Sequence, residues 1–407
     1  VQFIKCLYKL RFLYLLGTLF SPVSTGFAET QAANGVEGEI EYYLNQTTQL
    51  MKNKGMSTPE LMEPLVSLGR GYLLTNRPQL AVQVLEQAIQ ISRIELGLHN
   101  LRQLAMIDYL SEAHAALGNL DEAHNRQLYR YFLSLEQEIE DLSDMLAAIS
   151  HLAGWSVKLR KYAEARQLYL RMIKLIESSY GTRSPRLISP FRKIAATYLR
   201  ERDDYVNAYP QRAEEFDFTS QGKQVIWSGG MAERQTITRW LSGERMLRKV
   251  IQLQLLDPQT SVIELIRSHI DLGDWHTLLY RPLAASEQYR RAILLLEQLP
   301  PESLPESFFE QPKLLFFPNL NLRPMSRVPG SRNLPGFVEL IYSVNEQGEV
   351  NDIEVSAAKP QDPPRKELKK VALLTRYRPA FRKDRAIATM GVTHRHEYYR
   401  SSSGIRN

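Results

Sequence analysis

Leu65-Val66-Ser67-Leu68-Gly69-Arg70-Gly71-Tyr72, with Ala81 nine residues beyond the tyrosine, is a frame that the chain reads more than once. Ala81, Ala123 and Ala165 recur every 42 residues, and the positions 16, 13, 12 and 9 before each alanine repeat in kind. They are Leu65, Leu68, Gly69 and Tyr72, then Ile107, Leu110, Ser111 and His114, then Ile149, Leu152, Ala153 and Ser156. Large, large, small at spacings of 3 and 1 is one face of a helix, and the alanine that follows belongs to a second helix that comes close. A fourth reading, Phe191, Ile194, Ala195 and Tyr198, keeps the frame and reaches Ala208 one residue late. The period predicts stacked helical hairpins.

In the first copy Leu68-Gly69-x-x-Tyr72 leads through Asn76-Arg77-Pro78 to Ala81-x-x-x-Leu85-x-x-Ala88. The second reads Leu110-Ser111-x-x-His114, a turn over Gly118-Asn119, then Ala123; the third reads Leu152-Ala153, then Tyr162-Ala163-Glu164-Ala165-x-x-x-Tyr169. This pattern resembles the tetratricopeptide repeat, and the long period is similar to the elongated repeats of kinesin light chains, with about one extra turn per helix over the usual unit. The resemblance implies a helical-hairpin solenoid whose first helices line a surface for a protein or peptide. Gly97 and Gly181 fall between copies, where each is expected to end a second helix. Gln127 and Arg130 stand where the first copy has Leu85 and Ala88, which leaves the phase of that helix open by one residue.

Outward from the frame, Glu29 to Gly35 is small and polar and reads as a disordered lead. Glu37 to Lys54 places Ile40, Tyr43, Leu44, Thr47 and Leu50 near one stripe, an opening helix that covers the edge of the array. The helical repeat array is expected over 37–299, interrupted by an irregular insertion at 210–262 that holds Ser220-Gln221-Gly222 and Ser228-Gly229-Gly230. Ile266, Ile270 and Leu272-Gly273-Asp274-Trp275, then Ala285-x-x-x-Tyr289-x-x-Ala292, read as a last pair with a longer turn through Arg281-Pro282. Eight of the 21 prolines lie in 300–335, which is expected to be a proline-rich linker. Within it Leu314 to Phe317 is too apolar to stay in water and is expected to pack on a neighbour as a strand.

The first residues carry Lys5, Lys9 and Arg11, an apolar run from Phe12 to Phe20, and the small-x-small triplet Gly26-Phe27-Ala28. A basic start, a short apolar core and a small-residue end predict a signal peptide over 1–28, cleaved after Ala28, and therefore a periplasmic protein. Cys6 is the only cysteine. A mature chain without thiols excludes disulfides, thiolate metal sites and cysteine nucleophiles. Of the net charge of +6, residues 1–28 carry +3 and residues 335–407 carry +4, leaving −1 between them. So small a positive balance, confined to the last stretch, argues against a nucleic-acid surface.

From 336 to 400 the periodicity changes. Val338, Leu340, Tyr342 and Val344 alternate as a half-buried strand, Asn345 to Glu349 make a hairpin turn, and Val350, Ile353 and Val355 return with a bulge expected after Val350. Pro363-Pro364 opens a helix with Leu368, Val371, Ala372 and Thr375 on one face; Tyr377-Arg378-Pro379-Ala380 turns the chain, and Ala388 to Tyr398 alternate as the last strand. The fold class expected is mainly α, a repeat array followed by a small α+β domain of order β-β-α-β. Gly336-Phe337-Val338-Glu339-Leu340-x-Tyr342-x-Val344, Gly348-x-Val350-x-Asp352-Ile353-x-Val355 and Tyr377-Arg378-Pro379-Ala380 resemble the C-terminal domain of TonB-family proteins. That resemblance implies a periplasmic module that takes an extended peptide on its sheet edge. Thr375 stands where the family carries a tryptophan, and no long Pro-Lys spacer is seen, so a binding module is expected rather than an energy transducer. A divergent TonB-type transducer held by an uncleaved N-terminus is the alternative.

Signals for chemistry are sparse. His394 and His396 share a strand face, yet no third metal ligand accompanies them, and a solvated edge strand is the expected setting. His396-Glu397 lacks the second histidine of a zinc-protease pattern, Ser228-Gly229-Gly230 lacks the flanking glycine of a nucleophile elbow, and Gly222-Lys223-Gln224 lacks the glycine and hydroxyl of a phosphate loop. His114, at the aromatic position of a repeat, is expected in the core. No catalytic residue, cofactor, metal or small-molecule substrate is expected. Arg376, Arg378, Arg382, Lys383 and Arg385 form a basic cluster suited to anionic polymer or lipid head groups. The partners expected are other proteins of the bacterial envelope.

Overall fold

The structure, a computed structural model, describes residues 25–136, 141–208, 231–300, 307–318, 333–359, 368 and 374–401. Its contacts divide the chain into two compact units, 1–148 and 149–407, the division falling inside a helix. The expected signal segment lies outside the described residues up to position 24. Helix α1 runs from Thr25 to Lys54, so Glu29 to Gly35 is helical rather than a loose lead. Its Ile40 is buried against Gly71, where an added Cβ would come within 2.7 Å of the isoleucine side chain.

Helices α2 (Met62–Leu74), α3 (Pro78–Leu96), α4 (Gln103–Ala116), α5 (Leu120–Glu136), α6 (Leu142–Lys158) and α7 (Tyr162–Tyr180) follow the sequence frame. The small residue of the first helix faces the residue 16 positions on at Gly69 and Leu85, at Ser111 and Gln127, and at Gly273 and Tyr289. A Cβ at Gly69 would lie 2.5 Å from Leu85 Cγ, so only glycine admits that leucine. In the second copy Gln127 is buried and donates to Ser111 Oγ at 3.2 Å and Asp108 Oδ1 at 2.8 Å. Gln127 thus occupies the Leu85 position with its phase unchanged, and a polar pair replaces the glycine–leucine contact. Gly97 and Gly181, both at positive φ, cap α3 and α7 as expected.

Helix α8 (Ile188–Ala208) is unbroken to its last residue, so Ala208 belongs to a first helix and is not the alanine of a second. The second helix of that copy is α9 (Met231–Leu256), which packs on α8. The expected insertion 210–262 therefore contains a regular helix and the start of the next; residues 209–230, with the two Ser/Gly stretches, lie outside the described residues.

The last pair, α10 (Val262–Leu278) and α11 (Pro282–Leu296), opens on a capping box between Ser261 and Glu264. Its turn is not longer. Residues 279–281 match 75–77, 117–119 and 159–161, and the middle residue of each, Asn76, Gly118, Arg160 or Tyr280, has positive φ. The next backbone N–H closes each turn: Arg77 to Tyr72, Asn119 to His114, Lys161 to Ser156 and Arg281 to His276, all at 2.7–2.9 Å. Leu272, Gly273 and His276 stand 13, 12 and 9 residues before Ala285, the frame of the first copy.

Strands β1 (Lys313–Phe316), β2 (Asn333–Val344), β3 (Val350–Lys359), β4 (Arg376–Arg378), β5 (Ala380–Arg382), β6 (Arg385–Ile387) and β7 (Thr389–Ser401) follow the helices. An antiparallel sheet has the order β3-β2-β7, β1 pairs with β4, and β5 pairs with β6. The hairpin turn closes where expected, with Asn345 Oδ1 accepting from the N–H groups of Gln347 and Glu349. The expected bulge falls at Asp352, which has positive φ. Of the expected helix, Leu368 and Leu374 are helical, Thr375 is buried outside it, and Val371 and Ala372 lie outside the described residues.

Residues 376–380 do not turn the chain; they run extended through β4 and β5, and the turn comes at Lys383-Asp384. Leu314 to Phe317 packs as expected, with Phe316 in one core beside Leu272 and Trp275 and Phe317 against the sheet. Phe309 and Phe381 enter the core of α10 and α11 beside Ile266, Ile270 and Tyr289. The described parts of the proline-rich stretch are thus core-forming, and the last helical pair and the C-terminal strands share apolar clusters.

Candidate interaction surfaces

The five basic residues do not form one surface. The Arg378 guanidinium is buried and grips Asp274 with Nε to Oδ1 at 2.8 Å and Nη2 to Oδ2 at 2.6 Å, while Nη1 donates to the Phe308 carbonyl at 3.2 Å. Burial opposes its charge, but the bonds to Asp274 outweigh that and raise its pKa. Arg376 is also buried, 4.2 Å above the Tyr280 ring, and burial lowers its pKa. Both are spent on internal contacts between β4 and the last helical pair. Arg382, Lys383 and Arg385 are exposed on the β5–β6 hairpin.

His394 and His396 are half-buried rather than solvated. Their rings lie 4.2 and 5.1 Å from the Phe317 ring, and burial pushes both pKa values down. Stacked neutral imidazoles against a phenyl ring are packing groups, and among the described residues no group of three metal-ligating side chains occurs. His114 is in the core as expected; both ring nitrogens are buried without a hydrogen bond, and burial lowers its pKa. His276, at the same frame position of the last pair, has the same setting, its pKa lowered to about 4 by burial.

Two other surfaces are open to a partner. The sheet has two outer strands, and they differ. Strand β3 meets β2 with register shifts opposite Leu340 and Ser343 and carries Asp352, Glu354 and Lys359 outward, features that disfavour further pairing. Strand β7 keeps one register from Asn333↔Ser401 to Tyr342↔Val392, so its outer edge is regular, and among the described residues no strand pairs with it there.

The second surface is the exposed stripe of the first helices. In the C-terminal unit it presents His151, Gly154 and Lys158 on α6, Ser189, Ala196 and Arg200 on α8, and Glu264, Arg267 and Asp271 on α10, with half-buried Arg192 and Lys193 at its centre. Sequence reading left these positions unassigned. The signal that could have found them is the spacing itself, since 189, 192, 196 and 200 fall on the face opposite Phe191 and Ile194.

A tetratricopeptide-repeat family model matches residues 145–186, the length of α6, α7 and the turn that follows. Among solved structures, BtubC (BKLC) from P. vanneervenii is similar at 14% identity and a TM-score of 0.37, over 67% of this chain and 96% of that one. A putative kinesin light chain from Podosopora anserina with nearly identical repeats is similar at 18% identity and a TM-score of 0.36, over 59% of this chain and 94% of that one. A Rap protein solved with competence and sporulation factor is similar at 13% identity and a TM-score of 0.30, over 67% and 73%. No curated protein matches the chain. The family match makes residues 145–186 similar to a tetratricopeptide repeat, and the frame and the positive-φ turn of that hairpin recur in the hairpins that turn at Asn76, Gly118 and Tyr280.

Proposed function

We propose that the chain is a periplasmic, non-enzymatic adaptor between proteins of the bacterial envelope. Tetratricopeptide repeats are protein-interaction scaffolds, and the first-helix stripes offer such a surface here. The C-terminal strands add a second one, a TonB-like sheet that takes an extended segment of a partner. The observation that carries this reading is the long, regular edge of β7, which no strand among the described residues pairs, beside the bulged and charged edge of β3. Backbone N–H and C=O groups in a row supply affinity to an added strand. The envelope assignment is supported by the basic and apolar start of the sequence.

Affinity capture from envelope extract, followed by hydrogen exchange on the isolated complex, tests it. Slowed exchange at the β7 amides with β3 unchanged is the expected result; protection of β3 in place of β7, or of neither, would overturn the sheet assignment. N-terminal sequencing of the protein from the periplasmic fraction checks the compartment, with a start near Glu29 expected.

A further inference from the structure

The charged residues of the stripe on α6 and α8 are cations, Lys158, Arg192, Lys193 and Arg200. Lys193 donates from Nζ to Ser150 Oγ on α6 at 2.6 Å and lies 5.7 Å from the centre of the Tyr169 ring. Both partners are neutral, and burial lowers the pKa of the amine. Arg192, its neighbour, donates to Ser268 Oγ on α10 at 2.5 Å, and its buried Nε has no hydrogen-bond partner among the described residues. The acid that acts on it is Asp271, one turn beyond Ser268.

Three acids of α7 and α8 are already engaged. Glu201 accepts from Arg166 at 2.8 Å, Glu164 from Ser156 at 3.0 Å and Asp204 from Tyr162 at 2.5 Å. Two adjacent cations half withdrawn from water, held mainly by serine hydroxyls and a ring, are under-compensated. The group that best restores the balance is a carboxylate, which forms charge-assisted hydrogen bonds with both. Beside them the floor is low. Among the described residues nothing beyond the local helix backbone lies within 4 Å of a Cβ built at Gly154, and Ala196 is exposed.

We propose that this face of α6 and α8 binds an extended acidic peptide segment, whose carboxylates are taken by Lys193 and Arg192 while its backbone lies over Gly154 and Ala196. The inference rests on reading the first-helix stripe as a protein-binding surface and adds the chemistry of what binds.

The test uses the full chain and fluorescence anisotropy with three labelled peptides of equal length, alternating alanine with glutamate, glutamine or phosphoserine. The glutamate peptide is expected to bind with an affinity that falls as salt rises, and the glutamine peptide to bind at least about tenfold more weakly. Lys193→Gln with Arg192→Gln keeps hydrogen bonding to the serines and should weaken the glutamate peptide about tenfold or more. Arg382→Gln, Lys383→Gln and Arg385→Gln together, a larger charge change elsewhere, should leave it unchanged. Equal binding of the glutamine peptide, or an unaffected Lys193/Arg192 double variant that melts like the parent, overturns the proposal; so does a phosphoserine peptide that alone binds.

Gly154→Trp separates the two levels of the argument, because it fills the floor without removing charge. If it blocks partner capture from envelope extract while the peptides show no acidic preference, the surface stands and the acidic chemistry falls. If it leaves capture intact, the surface reading itself falls.

Discussion

Asp274 on α10 and Arg378 on β4, 104 residues apart in sequence, are joined by two parallel hydrogen bonds of 2.8 and 2.6 Å. The same carboxylate accepts from Tyr289 Oη at 2.9 Å, so helix, neighbouring helix and strand converge on one acid. Removing one member leaves a buried charge without its counter-ion. Arg378→Ala is expected to destabilise the C-terminal unit by about 3 kcal/mol, read as a lowered midpoint in urea denaturation. A midpoint equal to that of the parent would show the pair to be a surface-like contact.

The size relation between positions 16 apart gives a second expectation. Gly69→Ala places a Cβ against Leu85 and should cost about 1–3 kcal/mol through overpacking. In a double-mutant cycle, Leu85→Ala should cost more in the parent than in the Gly69→Ala background, because the clash and the cavity cancel in part. Additive effects would separate the two positions energetically.

The turns between first and second helices allow a sign change to be predicted. Arg160 holds the positive φ that Gly118 holds in the preceding copy, and Arg160→Gly should raise stability by roughly 1 kcal/mol. Tyr280 holds the same conformation, but its ring lies under Arg376. Tyr280→Gly should therefore lower stability. Thermal melts of the two variants, side by side, check the contrast.

His276 makes stability depend on pH. Its folded pKa, about 4 because of burial, is below the unfolded value of 6.5, so the unfolded chain takes up the proton first as the solution is acidified. The contribution is complete above pH 6.5 and is lost as pH falls toward 4. At pH 5 the loss from this group is about 2 kcal/mol. His276→Phe should flatten the slope of stability against pH between 7 and 5, and an unchanged slope in denaturant titrations would contradict the assignment.

Much of the helical part was legible in the sequence because its contacts are local and periodic. Leu68, Gly69 and Ala81 sit within one hairpin, and the same three positions return as Leu272, Gly273 and Ala285. What was misread depends on partners far along the chain. Ala208 satisfies the frame by spacing, yet α8 continues through it and its packing partner α9 begins after a long interruption. Arg376 and Arg378 read as solvated charge because Tyr280 and Asp274, which bury them, lie about a hundred positions earlier. His394 and His396 read as a solvated edge for the same reason, since Phe317 is what covers them. Lys193 and Arg192 carry no motif at all. Their interest comes from Ser150 and Ser268 on two different helices, a relation that exists only once the hairpins are stacked.

Phe381 lies in the core of α10 and α11, yet it follows the end of α11 at Leu296 by a long stretch of chain. During synthesis these two helices emerge long before the residue that completes their interior. The final repeat must therefore wait, partly open, for β4 and β5 to leave the ribosome, and is exposed to proteases and holding factors in that interval. A chain cut short after α11 would leave Ile266, Ile270 and Tyr289 facing water, so truncation in this region converts the last repeat from a finished element into an aggregation-prone one.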